Sequence, residues 1–506
     1  MIPGSATPDG TAAYARHRAA LHYSELDKTG LMVSEAGFGC YRVDIRMPAH
    51  ERALRKALLE GINLIDTSSN YADGGSEELV GAVLDNLISS GSISRESVVV
   101  VSKVGYLQGQ NYELSQERKR QGRPFKDLVL YAEGLEHCIH PEFLEDQLTR
   151  SLKRLNLSSL DCYLLHNPEY YLSWARKTGL PATEAHMEYY ARIRAALAHL
   201  EQEVERGRIS LYGISSNTFT ATSTDPEFTS LEEVWKIAES VTEEHHFRVV
   251  QLPMNVFETG GVTEANQSNG KSVIKIAREK KLGVLINRPL NAIREDNLVR
   301  LADVKPVQPA SDEQVSQRID ELISSENLMR LRLLPELDLT PSAQTQISDL
   351  ISVGSTLKQH WRDFGTYERW QELQSYYFLP RYRGAIQLLS QKGVLSEVLS
   401  SKIETHDEKL EAVFQGITSV YQSSAAKNSA RIRAMLSSVN KDWAEAETLS
   451  QMAVRALRST PGITSVLVGM RNASYVQDVL EELGRPVNRQ TGSKAWQRLQ
   501  RGIRGR

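Results

Sequence analysis

Short apolar runs alternate with amphipathic stretches along most of the chain. The runs are apolar at nearly every position, which is typical of parallel strands that are buried on both faces. Each run is followed by a segment with helical periodicity, such as residues 141–155, where leucines form one stripe. The predicted strands are residues 38–41, 62–65, 98–101, 160–165, 211–214, 249–252, 284–286 and 464–468. Eight strand–helix units predict an α/β fold of the (β/α)8 TIM-barrel type.

Four parts of the chain lie outside this alternation. A turn at Lys28, Thr29 and Gly30 between two apolar stretches predicts a β-hairpin before the first strand. Between the seventh and eighth strands only helical periodicity and loops are found, which predicts a helical insertion. The segments at the two ends of the chain are interpreted as a mobile arm and a basic, frayed tail. The predicted organisation is an N-terminal arm at 1–20, the first part of the barrel at 21–292, a helical insertion at 293–445, the end of the barrel at 446–484 and the tail at 485–506.

The connection after the third strand is unusually long. Residues 105–140 are polar, charged and rich in glycine, and a connection of this length is typical of a functional loop or a mobile flap. Glu136, His137, Cys138 and His140 lie close together within it. Their spacing matches no standard zinc pattern, so ordinary loop residues are the favoured interpretation and no metal is predicted.

Composition excludes several classes of protein. The 506 residues carry a formal net charge of only −3, which gives no electrostatic reason to expect nucleic acid or an anionic membrane as a partner. No apolar run approaches the roughly 18 residues that a spanning helix needs, and no secretory signal is recognisable. The three cysteines are unpatterned, which favours a reducing compartment. A cytoplasmic protein is the expectation.

Four chemically useful side chains lie where predicted strands end. Asp66 and Tyr71 follow the second strand, Lys103 the third and His166 the fourth. Neighbouring parallel strands are about 4.8 Å apart, so these side chains can meet at one rim. An ammonium beside a phenol stabilises the phenolate and is expected to lower its pKa, while a carboxylate offsets the cost of burying the ammonium. Such a group suits the delivery of a proton to a developing alkoxide.

Several sequence motifs occur in order along the chain: KTGLMVSEAGFGC, GINLIDTSSNY, VVVVSK, SLKRLNLSSLDCYLLH, YGISSN, QLPMN and TSVLVGMRN. On these motifs the chain resembles the aldo/keto reductase superfamily over about residues 21–289 and 449–483. The resemblance implies that Tyr71 is the proton donor, that Lys103 and Asp66 tune it, and that His166 orients the substrate. It also implies an NADPH cofactor, with NADH possible, and a small carbonyl or sugar substrate.

The same resemblance assigns the cofactor-binding residues. Positions at the ends of strands five to seven are expected to hold the nicotinamide carboxamide, with the choice between Ser216 and Asn217 left open because the serine is doubled. The turn after the eighth strand is expected to hold phosphate, and Arg471 could meet a 2′-phosphate. The expected cofactor-binding residues are Ser215, Ser216, Asn217, Gln251, Asn287, Gly469, Arg471 and Asn472.

Each of the four central residues also has an ordinary structural interpretation. Asp66 could cap a loop, Tyr71 could be a rim aromatic, Lys103 a solvated strand end and His166 a core histidine. Their joint occurrence in the order of the family favours the catalytic interpretation. A second hypothesis is a non-catalytic or weakly catalytic nucleotide-binding barrel. It would act as a sensor or dock a protein partner, or a second copy of the chain, through residues 293–445.

Overall fold

The computed structural model describes residues 1–294, 297–391, 397–490 and 492–504. Contacts divide the chain into two compact units. One unit consists of Met1–Ala292 together with Leu436–Arg506, and the other is Ile293–Met435.

Eight strands of the first unit form a closed barrel in which every neighbouring pair is parallel. The last strand pairs with the seventh on one side and with the first on the other, which closes the sheet. The predicted (β/α)8 barrel is therefore confirmed. The strands are β1 (Ala36–Gly39), β2 (Leu64–Asp66), β3 (Val99–Val104), β4 (Leu160–His166), β5 (Ile209–Ser215), β6 (Phe247–Pro253), β7 (Gly283–Asn287) and β8 (Ser465–Val468).

A helix follows each barrel strand in the chain. Its apolar stripe is buried, as in the helix after β3, where Leu144, Leu148 and Leu155 are at most 1% exposed. These helices are α1 (Pro48–Glu60), α2 (Gly75–Ser89), α3 (Pro141–Leu155), α4 (Ala182–Glu205), α5 (Leu231–Val241), α6 (Val273–Glu279), α7 (Leu449–Arg458) and α8 (Ala473–Leu483).

The predicted N-terminal hairpin is present and covers one end of the barrel. Its strands, Tyr23–Glu25 and Met32–Ser34, pair in an antiparallel register. Leu26 and Val33 of the hairpin belong to the same buried cluster as Val99 of β3 and Leu285 of β7. Because the hairpin fills this end, the carboxyl ends of the strands at the other end remain for a site.

The expectation of a mobile N-terminal arm is wrong. Pro8–Arg16 is a helix, and the Thr7 side chain caps it by accepting a hydrogen bond from the Gly10 N–H at 3.0 Å. Tyr14 is buried and donates its hydroxyl proton to the Leu58 carbonyl of α1 at 2.5 Å. Burial of this aromatic side chain holds the segment against the barrel.

The interpretation of the C-terminal tail as frayed is also wrong. Gly492–Arg504 is a helix, and Ala495, Trp496 and Leu499 lie on its buried face. The Trp496 indole N–H donates a hydrogen bond of 2.7 Å to the Thr460 hydroxyl, which follows α7. The basic residues that suggested a solvated tail occupy the other side of an amphipathic helix.

We expect Trp496→Ala to lower the free energy of unfolding by about 3–5 kcal/mol, because removal of a large buried aromatic side chain leaves a cavity. Urea unfolding followed by circular dichroism measures the change. Gln497→Ala is the matched control, since this neighbouring side chain on the same helix is exposed. Equal stability of the two variants would show that the helix does not contribute to the fold.

The long connection after β3, which was expected to be a functional loop or a mobile flap, is folded. It contains the helix Gly109–Arg120 and a three-stranded antiparallel sheet. Glu136 is buried there and accepts hydrogen bonds from Ser115 at 2.5 Å and Gln116 at 2.9 Å. The strands of this sheet are Tyr106–Leu107, Val129–Ala132 and Leu135–His137.

The unit Ile293–Met435 is mainly helical and has its own apolar core. Trp370 is central to that core, with its ring centroid 5.6 Å from Phe414 and 6.0 Å from Phe378. The short strands Asn291–Arg294 and Asn297–Arg300, which helical periodicity did not predict, come before the helices. The principal helices are Asp312–Leu328, Pro341–Ile351, Gly354–His360, Tyr367–Leu373, Leu379–Gln391 and Glu397–Val439, the last of which extends beyond the unit.

Among the residues with described positions, no helix combines the length and apolar character needed to cross a membrane.

Candidate active site

The four central residues predicted from the sequence lie at the carboxyl ends of three adjacent strands. Asp66 is the last residue of β2, Lys103 is next to last in β3 and His166 is the last of β4. Tyr71 begins a short helical turn, Tyr71–Gly74, in the loop after β2. Because β2 pairs with β3 and β3 with β4, these residues share one rim of the barrel.

The Lys103 ammonium is the centre of this group. Its Nζ donates hydrogen bonds to Asp66 Oδ2 at 2.7 Å, to the Thr67 carbonyl at 2.8 Å and to the Tyr71 hydroxyl at 3.2 Å. Lys103 is completely buried, and Asp66 is 4% and Tyr71 9% exposed. A charged pair with this little access to water needs all of its hydrogen bonds, because breaking a buried pair leaves an uncompensated charge.

A constrained turn presents the Tyr71 side chain. Ala72 and Asp73 have φ values of 49° and 54°, in the left-handed region that L-residues rarely adopt. The Gln110 N–H donates to Asp73 Oδ1 at 3.0 Å, and the Gln110 side-chain amide donates to the Asp73 carbonyl at 3.3 Å. The first residues of the helix Gly109–Arg120 thus hold the strained turn in place.

Lys103 lowers the pKa of Tyr71 as expected, but burial raises that pKa by more. Burial raises the pKa of Tyr71 to about 12, and the nearby Lys103 ammonium offsets only part of that rise. Loss of hydration raises the pKa of Tyr71 by more than one hydrogen-bonded cation lowers it. Tyr71 therefore keeps its proton throughout the neutral range, as an acid that donates a proton must.

Lys103 keeps its charge in spite of its burial. Burial acts to lower its pKa, but the Asp66 carboxylate and the Tyr71 hydroxyl act in the opposite sense and the pKa of Lys103 is raised. Asp66 is held in turn by the Gln251 side-chain amide, which donates to Oδ1 at 2.7 Å. Both oxygens of the carboxylate are therefore used within the site.

His166 is neutral beside this charged pair. Burial, followed by the Lys103 charge, lowers the pKa of His166 well below its ordinary value. The ring lies edge-on to Tyr71, with centroids 6.0 Å apart, and its Nδ1 is 3.2 Å from the Ser68 hydroxyl. A neutral imidazole has one donor and one acceptor nitrogen, so it can hydrogen-bond a carbonyl oxygen without adding charge.

The structure brings three of the expected cofactor-binding residues together. Ser215 ends β5 and donates to Gln251 Oε1 at 2.9 Å, while the Asn287 amide at the end of β7 lies 3.5 Å from the same oxygen. Gln251 also contacts Asp66, so this row of polar side chains continues into the Lys103 cluster.

The other expected cofactor-binding residues are not part of that row. The Ser216 hydroxyl is buried against Thr218, whereas Asn217 is exposed. Gly469, Arg471 and Asn472 lie in the turn after β8, and the Asn472 side chain caps α8 by accepting from the Tyr475 N–H at 3.1 Å.

Sequence reasoning missed several residues that border His166. His137 donates its Nε2 proton to the His166 carbonyl at 2.8 Å, and the Tyr106 ring lies edge-on to the His166 ring with centroids 4.7 Å apart. Asn167 donates to the Tyr106 hydroxyl at 2.6 Å. Tyr106 could have been found from its position directly after β3. His137 lies beside His166 only because the long connection after β3 folds back as a sheet. No local pattern in the sequence predicts that sheet.

The fold and the site define a (β/α)8-barrel protein with a tyrosine–lysine–aspartate cluster at the carboxyl ends of its strands. Residues 37–337, more than half of the chain, match the model of the aldo/keto reductase family. The chain belongs to the aldo/keto reductase family, a family of oxidoreductases.

Individual relatives are distant. The NAD(P)H-dependent D-xylose reductase of Scheffersomyces stipitis is 26% identical over 140 residues, which cover 28% of this chain and 33% of that protein. The NADPH-dependent aldose reductase of Saccharomyces cerevisiae is 26% identical over 201 residues, covering 37% of this chain and 50% of that protein. The chain thus spans a third to a half of the length of these curated relatives. An aldo-keto reductase from Bacillus halodurans, solved in its holo form, is 13% identical, with 95% of this chain and 96% of that chain covered and a TM-score of 0.45.

Proposed function

We propose that the protein is an NADPH-dependent carbonyl reductase that interconverts an aldehyde, ketone or sugar carbonyl with the corresponding alcohol. The observation that carries this proposal is the buried Lys103 ammonium, which contacts both Asp66 and the Tyr71 hydroxyl. Tyr71 donates its proton to the carbonyl oxygen, and the fixed Lys103 charge stabilises the phenolate that results. Neutral His166 orients the same oxygen by a hydrogen bond.

The polar row at the ends of β5, β6 and β7 fits a nicotinamide carboxamide. Asn287 Oδ1 is buried, and no donor among the described residues reaches it. A buried acceptor without a partner costs free energy, and a carboxamide N–H would satisfy it. When bound, NADPH supplies hydride to the carbonyl carbon. Ser215, Asn217, Gln251 and Asn287 would hold the carboxamide beside Tyr71.

The turn after β8 fits a phosphate group. Gly469 is exposed, and apart from its chain neighbours no described residue has an atom within 4 Å of the position that a Cβ would take there. The turn leads into the N-terminus of α8, whose backbone N–H groups favour an anion. Arg471, in the same turn, would bind the 2′-phosphate that distinguishes NADPH from NADH.

Fluorescence titration of the purified protein with NADPH and NADH tests the proposal. Carbonyl and sugar substrates are then supplied, and the loss of NADPH absorbance is followed. Saturable binding of NADPH together with turnover of at least one carbonyl compound is the expected result. Failure of both nucleotides to bind would refute the proposed function.

We expect Arg471→Ala to weaken NADPH binding by roughly 10- to 100-fold, since a hydrogen bond to a charged group contributes about 1.5–3 kcal/mol. NADH binding should stay unchanged, because NADH lacks the 2′-phosphate. Arg471→Lys is the matched control and should recover part of the affinity for NADPH. An equal loss for both nucleotides would assign Arg471 to another part of the cofactor site.

A further inference from the structure

A buried carboxylate that the proposed reaction does not use lies next to the polar row. Glu169 follows β4 and is 3% exposed. Its Oε1 accepts a hydrogen bond of 2.8 Å from the backbone N–H of Asn217. Its Oε2 is buried, and within the described part of the chain no donor reaches it. The loop after β4 is tied to the end of β5 a second time, because the Asn167 N–H donates to the Ser215 carbonyl at 2.7 Å.

We propose that Glu169 is a positioning residue for the turn Ser215–Asn217 and that its negative charge, when present, favours the oxidised over the reduced nicotinamide cofactor. The first part follows from the hydrogen bond to the Asn217 N–H. The second part rests on the proposed function, which places the carboxamide on this turn. Oxidised nicotinamide carries a positive charge on its ring and the reduced form does not, so a buried anion beside the turn distinguishes the two.

The charged groups that act most strongly on Glu169 include no cation. The charged and titratable groups that face it are Glu227, Tyr106, Tyr170 and Tyr189. Glu227 is itself paired with Arg176 at 2.7 Å. Burial raises the pKa of Glu169 to about 7, against the effect of the backbone N–H donors and of the Ser216 hydroxyl. Glu169 is therefore neutral below about pH 7 and ionised above it.

The catalytic cluster does not titrate in the same range. Burial raises the pKa of Tyr71 to about 12 and holds the pKa of His166 well below its ordinary value. Burial also lowers the pKa of His137 to about 4. A change in the cofactor site near neutral pH is therefore assigned to Glu169.

The test is the ratio of the NADP⁺ and NADPH dissociation constants, measured by quenching of protein fluorescence at about pH 6 and about pH 8.5. Both nucleotides carry the same 2′-phosphate, so its ionisation cancels in the ratio. We expect binding of NADP⁺ to strengthen relative to NADPH by roughly three- to tenfold between the two pH values. In Glu169→Gln, which keeps an acceptor for the Asn217 N–H, the ratio should not change with pH.

Glu227→Gln is the matched control, because it removes the neighbouring carboxylate and leaves Glu169 in place; the pH dependence of the ratio should persist. A wild-type ratio that is independent of pH, with both nucleotides bound, would overturn the assignment of Glu169 and leave the proposed function intact. If the ratio still changed with pH in Glu169→Gln, the assignment of Glu169 would also be overturned. Absence of binding by either nucleotide would instead refute the proposed function.

Discussion

Tyr71→Phe is expected to lower the rate of carbonyl reduction by about 10²- to 10⁴-fold, the usual contribution of a positioned general acid. The variant keeps the ring, which packs edge-on against Tyr41 and His166 with centroids 5.3 Å and 6.0 Å away. Binding of NADPH should therefore survive. Single-turnover absorbance measurements, combined with fluorescence titration of the nucleotide, separate the two effects.

Tyr41→Phe is the matched control for this variant. Its ring contacts Tyr71 but is largely exposed, and loss of its hydroxyl should leave turnover nearly unchanged.

The wild-type protein should also oxidise an alcohol faster as pH rises, because oxidation needs the Tyr71 phenolate. The phenolate fraction grows about tenfold per pH unit below the Tyr71 pKa of about 12. Tyr71→Phe should lose this dependence. Retention of wild-type turnover by Tyr71→Phe would refute the proposed mechanism.

Lys103→Met is expected to lower the free energy of unfolding by about 3–5 kcal/mol as well as the rate of reduction. The substitution leaves the Asp66 carboxylate buried without its cation, and breaking a buried pair is strongly destabilising. The Gln251 amide, 2.7 Å from Asp66 Oδ1, remains as its side-chain partner. Urea unfolding measures the loss of stability, and steady-state kinetics measures the loss of activity.

The double variant Lys103→Met/Asp66→Asn distinguishes stability from chemistry. It removes the unpaired charge and should recover most of the lost stability. Turnover should stay low, because no ammonium remains to stabilise the Tyr71 phenolate. Recovery of both properties would mean that Lys103 has only a structural role.

The barrel was predictable because its strands are buried on both faces. Four consecutive valines, Val98–Val101, predicted β3 as a strand that is buried on both faces. The rule that chemistry collects at the carboxyl ends of barrel strands then predicted that Asp66, Lys103 and His166 lie close together, and they do. The boundaries of the strands were predicted less accurately than their order. β3 continues to Val104, so Lys103 belongs to the strand and is completely buried.

The remaining features depend on contacts between distant parts of the chain. Tyr14 and Trp496 are single aromatic residues in polar segments, and only their partners Leu58 and Thr460 explain why those segments are ordered. The sheet after β3 has strands of two to four residues, too short for a periodic pattern. The pKa of Tyr71 was misjudged because the extent of its burial is set by the tertiary structure.

The position of β8 in the sequence has a consequence for biosynthesis. β1 and β7 can each acquire their second neighbour only when Ser465–Val468 is available. During translation the ribosome makes the whole unit Ile293–Met435 before that strand. A nascent chain whose first seven strands have already paired carries an open sheet with two bare edges while this synthesis continues, and such edges are prone to aggregation. Chaperone dependence in the cell would be concentrated in that interval.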